Sequence, residues 1–295
     1  MAEFFDAIPW ELMIIQTVNG IVTGMILALI ASGLTLIFGI MDVVNFAHGD
    51  LVMLGGFTGA VTVAQTGSFW LGLLAATLAV GLFGVFLQVS TLRPLTGRHH
   101  LTTIIATFGV SLVLQKYALW QFGPTAMTIP QPIPGQFELL YLQYPWYRLG
   151  AAVMAGAIIG CLYLFLKFGK YGIWIRATTQ DQVMASAMGI PVPWVLTGVF
   201  AIGAAMAAAS GVLFAPLAAV TQTMGFEFTL RAFTVVVVGG MGNLGGSILA
   251  ALFISLLEAY ASIVVSPSQA VIVSFVVLIL TLLVRPTGLF VPTPK

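Results

Sequence analysis

The feature that most constrains this chain is where its few charges fall. Between residues 12 and 92 the only acidic or basic side chains are Asp42 and Asp50. None occurs from 182 to 226, and from 232 to 284 Glu258 stands alone. Charged residues make up 6% of the 295, against roughly 25% in a soluble domain that must solvate its surface. Such a chain has lipid for most of its solvent. Its rare charges then mark either loops in water or working positions inside the bilayer.

The hydrophobic fraction is 60%, in runs spread from end to end, which excludes a soluble domain held by one anchor. Strands of an outer-membrane barrel alternate apolar and polar residues over about 10 positions. The run VIVSFVVLILTLL (271–283) does not alternate. The expected fold is an all-α polytopic membrane protein, with apolar segments near 14–38, 48–66, 69–91, 101–121, 148–167, 194–218, 229–239, 245–264 and 268–284. The segment at 229–239 is too short to cross alone and pairs with its successor as a broken or re-entrant element near 229–264, giving about eight crossings, plus or minus one.

Net charge is +1, so no nucleic-acid partner is implied. The lone Cys161 allows no internal disulfide and, in an apolar run, is expected to be a buried inert thiol. The acidic start MAEFFDAIPWE lacks the basic region of a signal peptide, so the first apolar segment is expected to stay in the mature protein. Arg93, Arg98, Lys167, Lys170, Arg176, Arg285 and Lys295 all fall on one side of the span order, which marks the cytoplasm. That places the N-terminus outside, the C-terminus inside and Arg148 snorkelling at the outer edge. The loops at 122–147 and 167–193 are too short for a domain of their own, so residues 1–295 are expected to be one domain.

The inner loop carries the most specific pattern. Thr178 and Asp181 have capping-box spacing. Residues 180–188 are mostly good helix formers, Gly189 suits a left-handed helix end, and Pro191 prevents continuation. A helix of about ten residues would present Val183, Met184, Ala187 and Met188 on its surface. It is either a ridge that docks in a partner's groove or a loop helix packed on its own bundle.

GKYGIWIRATTQDQVMASAMGI (169–190) resembles the cytoplasmic coupling segment of LivH-type permeases, the inner-membrane subunits of branched-chain amino acid ABC transporters. GLTLIFGIMDVVNFAHGDLVMLGG (33–56), TVVVVGGMGNLGGSILAAL (234–252) and VRPTGLF (284–290) resemble further blocks of that family, in the same order. The resemblance implies a bacterial inner-membrane permease with three kinds of partner. They are a second related permease subunit or a second copy of this chain, two ATP-binding subunits, and an extracytoplasmic solute-binding protein. It places the coupling segment at 170–191 and its helix at 178–189, with Gly172 and Arg176 leading in. The coupling set is then Gly172, Arg176, Thr178, Asp181, Val183, Met184, Ala187, Met188 and Gly189. No G-x-x-x-x-G-K-[ST] occurs, so this chain binds no nucleotide through a P-loop, and ATP with Mg belongs on the partner subunits.

Asp42, Asn45, His48 and Asp50 interrupt two apolar helices. A charge at bilayer depth costs at least about 2.5–3.5 kcal/mol, so these groups face water or protein. They form a turn on the cytoplasmic side, or a gate or lining of the route; a proton relay through His48 is a further option. His48 and Asp50, two apart, point to different helix faces and make no metal pair. A faint echo between 34–56 and 233–253 suggests a parallel repeat. Gly240, Gly242 and Gly245 fit G-x-G-x-x-G, but no βαβ alternation surrounds them, so a tight inter-helix turn is expected. Asn243 in that turn and Glu258 in an uncharged helix join the candidate route. Glu227 and Arg231, four apart near the outer mouth, form an ion pair or contact the binding protein. His99 and His100 have no further ligands nearby, and no metal site is expected. Nothing resembles a catalytic constellation, so the chain is not expected to be an enzyme. Two alternatives stay open: an ion-coupled carrier that ignores ATP, and the same permease with urea, a short amide or an aromatic acid as cargo.

Overall fold

The structure, a computed structural model, describes residues 10–95, 97–139 and 142–290. Lys295 and residues 1–9 of the acidic start lie outside them. The elements in order are α1 (Trp10–Met41), α2 (His48–Thr66) and α3 (Phe69–Leu87), which runs on through a π-turn (Gln88–Leu92) and a 3-10 turn (Arg93–Leu95). Then come α4 (His100–Phe122), a β1 (Gln136–Leu139) and β2 (Leu142–Pro145) hairpin, α5 (Trp146–Phe168), α6 (Lys170–Gln180) and α7 (Gln182–Ala187). The chain closes with α8 (Val192–Phe214), α9 (Met224–Gly239), α10 (Leu244–Ala261) and α11 (Pro267–Val284).

Every expected apolar segment is a helix. Among the described residues six are long and apolar enough to cross a membrane: α1, α3 with its extension, α4, α5, α8 and α10. Helix α2, 19 residues, carries His48 and Asp50 at its start, and α11 is 18 residues. Helix α9, at 16 residues, is short of a full crossing and forms a hairpin with α10.

Helices α1 and α8 form the centre and are apolar on all sides, as fully buried helices are. Lipid gives no hydrophobic drive for helix association, so close packing of small residues does that work. A Cβ on Gly33 of α1 would sit 2.8 Å from the Gly203 carbonyl of α8. The Gly/Ala run of α8, expected to be a close-packing face, is buried at Gly203, Ala204, Ala207, Ala208 and Gly211. The sequence gives no hint of the β hairpin, which pairs Phe137 with Tyr144. Arg148 donates to Asn19 Oδ1 at 2.6 Å, as does the Tyr144 hydroxyl at 3.0 Å, fastening the hairpin's root to α1. Burial raises the Tyr144 hydroxyl above the usual phenol range, and Arg148 opposes that shift.

Cys161 corrects an expectation. It is exposed, lining an apolar groove between α3, α5 and α8 with Trp70 and Phe165 rather than lying in the core.

Candidate functional site

If residues 42–47 were a simple turn at the end of α1, α2 would begin beside Met41. It does not. Asp42 takes a left-handed φ of 50°, the chain runs extended, and His48 Nε2 donates to the Ile30 carbonyl at 3.0 Å. Ile30 lies eleven residues before Met41, the end of α1, about 16 Å back along the helix at its 1.5 Å rise. The chain therefore climbs back into the bundle before α2 starts. The break does not stay at the end of α1 but rises beside the interior of that helix; only Asp42, exposed, stays at the helix end.

Helix α9 starts at the same place. A Cβ on Gly225 would lie 2.8 Å from the Asp50 Cα, so the two helix N-termini touch backbone to backbone. Neither has a capping side chain of its own: Ala47 cannot cap, and Thr223 does not. Thr229 of α9 caps α2 instead. Its hydroxyl accepts from the Gly49 N–H at 3.0 Å and stands 3.1 Å from the Phe46 carbonyl. Helix α4 closes the third side with a stripe at i, i+4 spacing, Thr103, Thr107 and Ser111, all buried, followed by half-buried Gln115. Thr107 Oγ1 accepts from the Phe46 N–H at 3.3 Å, and Gln115 donates to Ser111 Oγ at 3.1 Å. Both Ser111 and Gln115 face the Asp50 carboxyl.

This seam is left polar and unsatisfied. Among the described residues, Asn45 Nδ2, His48 Nδ1 and both Asp50 oxygens are buried without a hydrogen bond of good geometry, although Ser111 and Gln115 stand beside the carboxyl. With its Nε2 proton given to Ile30, His48 presents Nδ1 as a bare acceptor. Each such neutral group costs about 1–3 kcal/mol, a charged one more. Their concentration at one joint is what a site that takes up water, a proton or a polar solute looks like. Among the described residues no group of three His, Cys, Asp or Glu could hold a metal.

The other candidates do not join it. Asn243 caps α10, accepting from the Gly246 N–H at 3.1 Å, and donates to the Phe290 carbonyl at 3.2 Å. These two bonds fasten the turn to α10 and to the chain beyond α11. Gly240 and Gly242, with φ of 98° and 80°, make the expected tight turn, and Gly242 packs on Gly39. Arg231 pairs with Glu258 across helices at 3.7 Å, not with Glu227 on its own helix. Leu256, on the same helix as Glu258, lies against Gly20 of α1, beside the Asn19 that holds Arg148. Glu227, Leu230 and Arg231 face Ser268, Val271 and Phe275 of α11 across a cavity of about 350 Å³.

In the inner loop the capping box does not form. Thr178 is buried within α6, and its hydroxyl has no hydrogen-bond partner among the described residues. Asp181 is itself the cap, accepting from Val183 N–H at 2.8 Å and Met184 N–H at 2.9 Å. Because its extended backbone (φ −158°) breaks the helix, α7 has six residues rather than about ten. Gly189, φ 82°, ends the segment as expected, and the Ile190 N–H closes it onto the Ala185 carbonyl at 3.0 Å. Only Ala185 is buried, while Val183, Met184 and Met188 are 80%, 61% and 78% exposed, with Ala187 exposed among them. Gln182 donates to the Ile40 carbonyl at 2.9 Å, tying this ridge to the end of α1. Gly172 is needed where α5 bends into α6, since a Cβ there would strike the Leu166 backbone. Arg176 bonds the Leu166 carbonyl. Arg93, Arg98, Lys167, Lys170 and Arg285 cluster at this same end of the bundle.

Sequence reasoning missed Thr107, Ser111, Gln115 and Thr229. The first three are visible as polar residues four apart on an apolar helix. Thr229 has no such signal, because its role depends on a contact 180 residues away.

The family profile described as "Branched-chain amino acid transport system / permease component" matches residues 16–282. The chain is 32% identical over 293 residues to the high-affinity branched-chain amino acid transport system permease protein LivH of Escherichia coli K12, covering 93% of this chain and 94% of that protein. It is 30% identical over 294 residues to the corresponding BraD of Pseudomonas aeruginosa, with the same coverage. The permease protein LivM of E. coli K12 is 26% identical over 276 residues, 84% of this chain and 66% of that protein. No solved structure matches.

Proposed function

Since the chain belongs to the branched-chain amino acid transport permease family, we propose that it is the inner-membrane permease subunit of an ATP-driven importer. Its cargo is a branched-chain or related amino acid delivered by an extracytoplasmic binding protein. The observation that carries the ATP-driven part is the ridge of Val183, Met184, Ala187 and Met188, apolar side chains held out into water at the Lys/Arg-rich end. Exposed apolar anchors on a short capped helix suit a partner's groove. The positive charge at this end puts it in the cytoplasm, with the N-terminus outside and the C-terminus inside. Two ATP-binding subunits dock there and hold ATP and Mg; this chain needs neither. Similarity to both LivH and LivM supports a core of this chain and a related permease subunit.

Force applied at 170–191 reaches α1 through Gln182 and Ile40. The far end of that lever is the joint of Asn45, His48 and Asp50, whose unmade hydrogen bonds are free to form in a second arrangement. We assign the joint as a gate on the translocation route. In proteoliposomes with all partners, Met184→Asp with Met188→Asp should lower ATP-dependent uptake at least tenfold while the protein stays folded. Uptake should be indifferent to a protonophore. Unchanged uptake in the double variant removes the docking claim.

A further inference from the structure

We propose that the cavity between α9 and α11 is a membrane-depth waystation for the zwitterionic head and branched side chain of an α-amino acid. Its cargo class rests on the function proposed above; the charges and walls that define it do not. Glu227 is exposed and has no hydrogen bond or ion pair among the described residues. Arg231 meets Glu258 at 3.7 Å, longer than the 2.7–2.9 Å or so of a charge-assisted hydrogen bond. The guanidinium has five N–H donors, and Glu258 engages it on one side only. Arg231 and Glu258 are half-buried, Glu227 is exposed beside them, and all three have bonding capacity to spare. Lipid does not tolerate such groups, so the cavity opens to water or to the partner subunit.

The geometry selects the ligand. Glu227 and Arg231, four apart, stand on one face of α9 with Cβ atoms roughly 6 Å apart. The carboxylate takes an ammonium and the guanidinium takes a carboxylate, in the fork that favours planar anions. Ser268 adds a hydroxyl, while Leu230, Val271 and Phe275 form an apolar wall beside the charges. A volume of about 350 Å³ falls within the range of small-molecule sites, roughly 300–1,000 Å³. A plain amine leaves Arg231 unanswered, and a plain acid leaves Glu227 unanswered. Only a molecule carrying both groups next to an apolar branch satisfies all three features.

The test uses the complete transporter in proteoliposomes. Glu227→Gln and Arg231→Gln should each reduce leucine uptake at least tenfold with binding-protein docking unchanged. Loss of docking in step with uptake would instead make these residues a binding-protein contact and overturn the proposal; so would unchanged uptake. Should Arg231→Gln fail to assemble because Glu258 is stranded, Ser268→Cys in a Cys161→Ala background gives an independent readout. Millimolar leucine should slow its labelling by a charged thiol reagent at least threefold, and isoamylamine and 4-methylpentanoate should not. Equal protection by all three, or by none, overturns the site. A wild-type complex without ATP-dependent uptake would sink the importer itself, a result the labelling measurement does not depend on.

Discussion

At residues 240–243 four residues turn α9 into α10, and the polar groups there find partners. Asn243 caps one helix and holds the Phe290 carbonyl, and Leu289 N–H reaches Val238 at 2.8 Å. At 42–47 six residues join α1 to α2, and there Asn45, with His48 and Asp50 just after, leaves four buried polar atoms without partners among the described residues. The two breaks echo each other in sequence, each with glycine, methionine and asparagine between an apolar stretch and a returning helix. One is a rivet, closed by its own hydrogen bonds. The other is a joint, whose N-terminal cap is borrowed from Thr229 on another helix. Similar local sequence therefore sets where a bundle breaks, while packing decides whether the break can change state.

The sharpest way to break this contrast is to add one methyl group on each side. Gly225→Ala drives a Cβ into the Asp50 backbone, 2.8 Å from its Cα. The Asp50 carboxyl, also struck, can swing away but its backbone cannot, so a loss of about 3 kcal/mol is expected, read as failure to purify folded protein in detergent. Gly245→Ala meets only Asn243 Oδ1 at 3.7 Å, ordinary contact, and should stay within about 0.5 kcal/mol of wild type. Equal effects would mean the joint is no tighter than the rivet.

Capping gives the next largest effect. Thr229→Val keeps the shape but strands the Gly49 N–H, at a cost of about 1–3 kcal/mol. Asn243→Ala removes a local cap, worth about 1 kcal/mol. Thermal unfolding should rank Thr229→Val as the more damaging, and Thr229→Ser should recover most of the loss. A reversed order would show that the cross-helix cap does not hold α2 and α9 together.

Much of this fold was legible in the chain. Segment limits came within a few residues because charge-free runs and their Gly, Ser and Asn punctuation are local properties. The ridge at Val183, Met184 and Met188 was legible for the same reason, although its cap was assigned to Thr178 when Asp181 does the work. Depth was not legible. His48 reaching Ile30, Gly225 touching Asp50 and Arg231 choosing Glu258 over Glu227 are all long-range contacts. Hydropathy says that a residue lies in the membrane. It does not say how far a chain doubles back.

The finest distinction comes from exchanging acid and amide at the two breaks. Asp50→Asn replaces a buried carboxylate that no cation faces among the described residues with a neutral amide, which costs less to bury. If the joint is a working gate, the variant should be as stable as wild type or more stable by about 1 kcal/mol, while uptake falls at least tenfold. A carboxylate that merely held helices together would show the opposite: stability lost, and turnover per folded molecule kept. Asn243→Asp is the converse exchange. It retains the Oδ1 acceptor that caps α10 and loses only the donor to Phe290, so about 1 kcal/mol of stability should go with uptake per folded molecule unchanged. If Asp50→Asn behaves like Asn243→Asp, the unmade hydrogen bonds beside His48 are a packing defect, and the gate must be sought on the α9–α11 face.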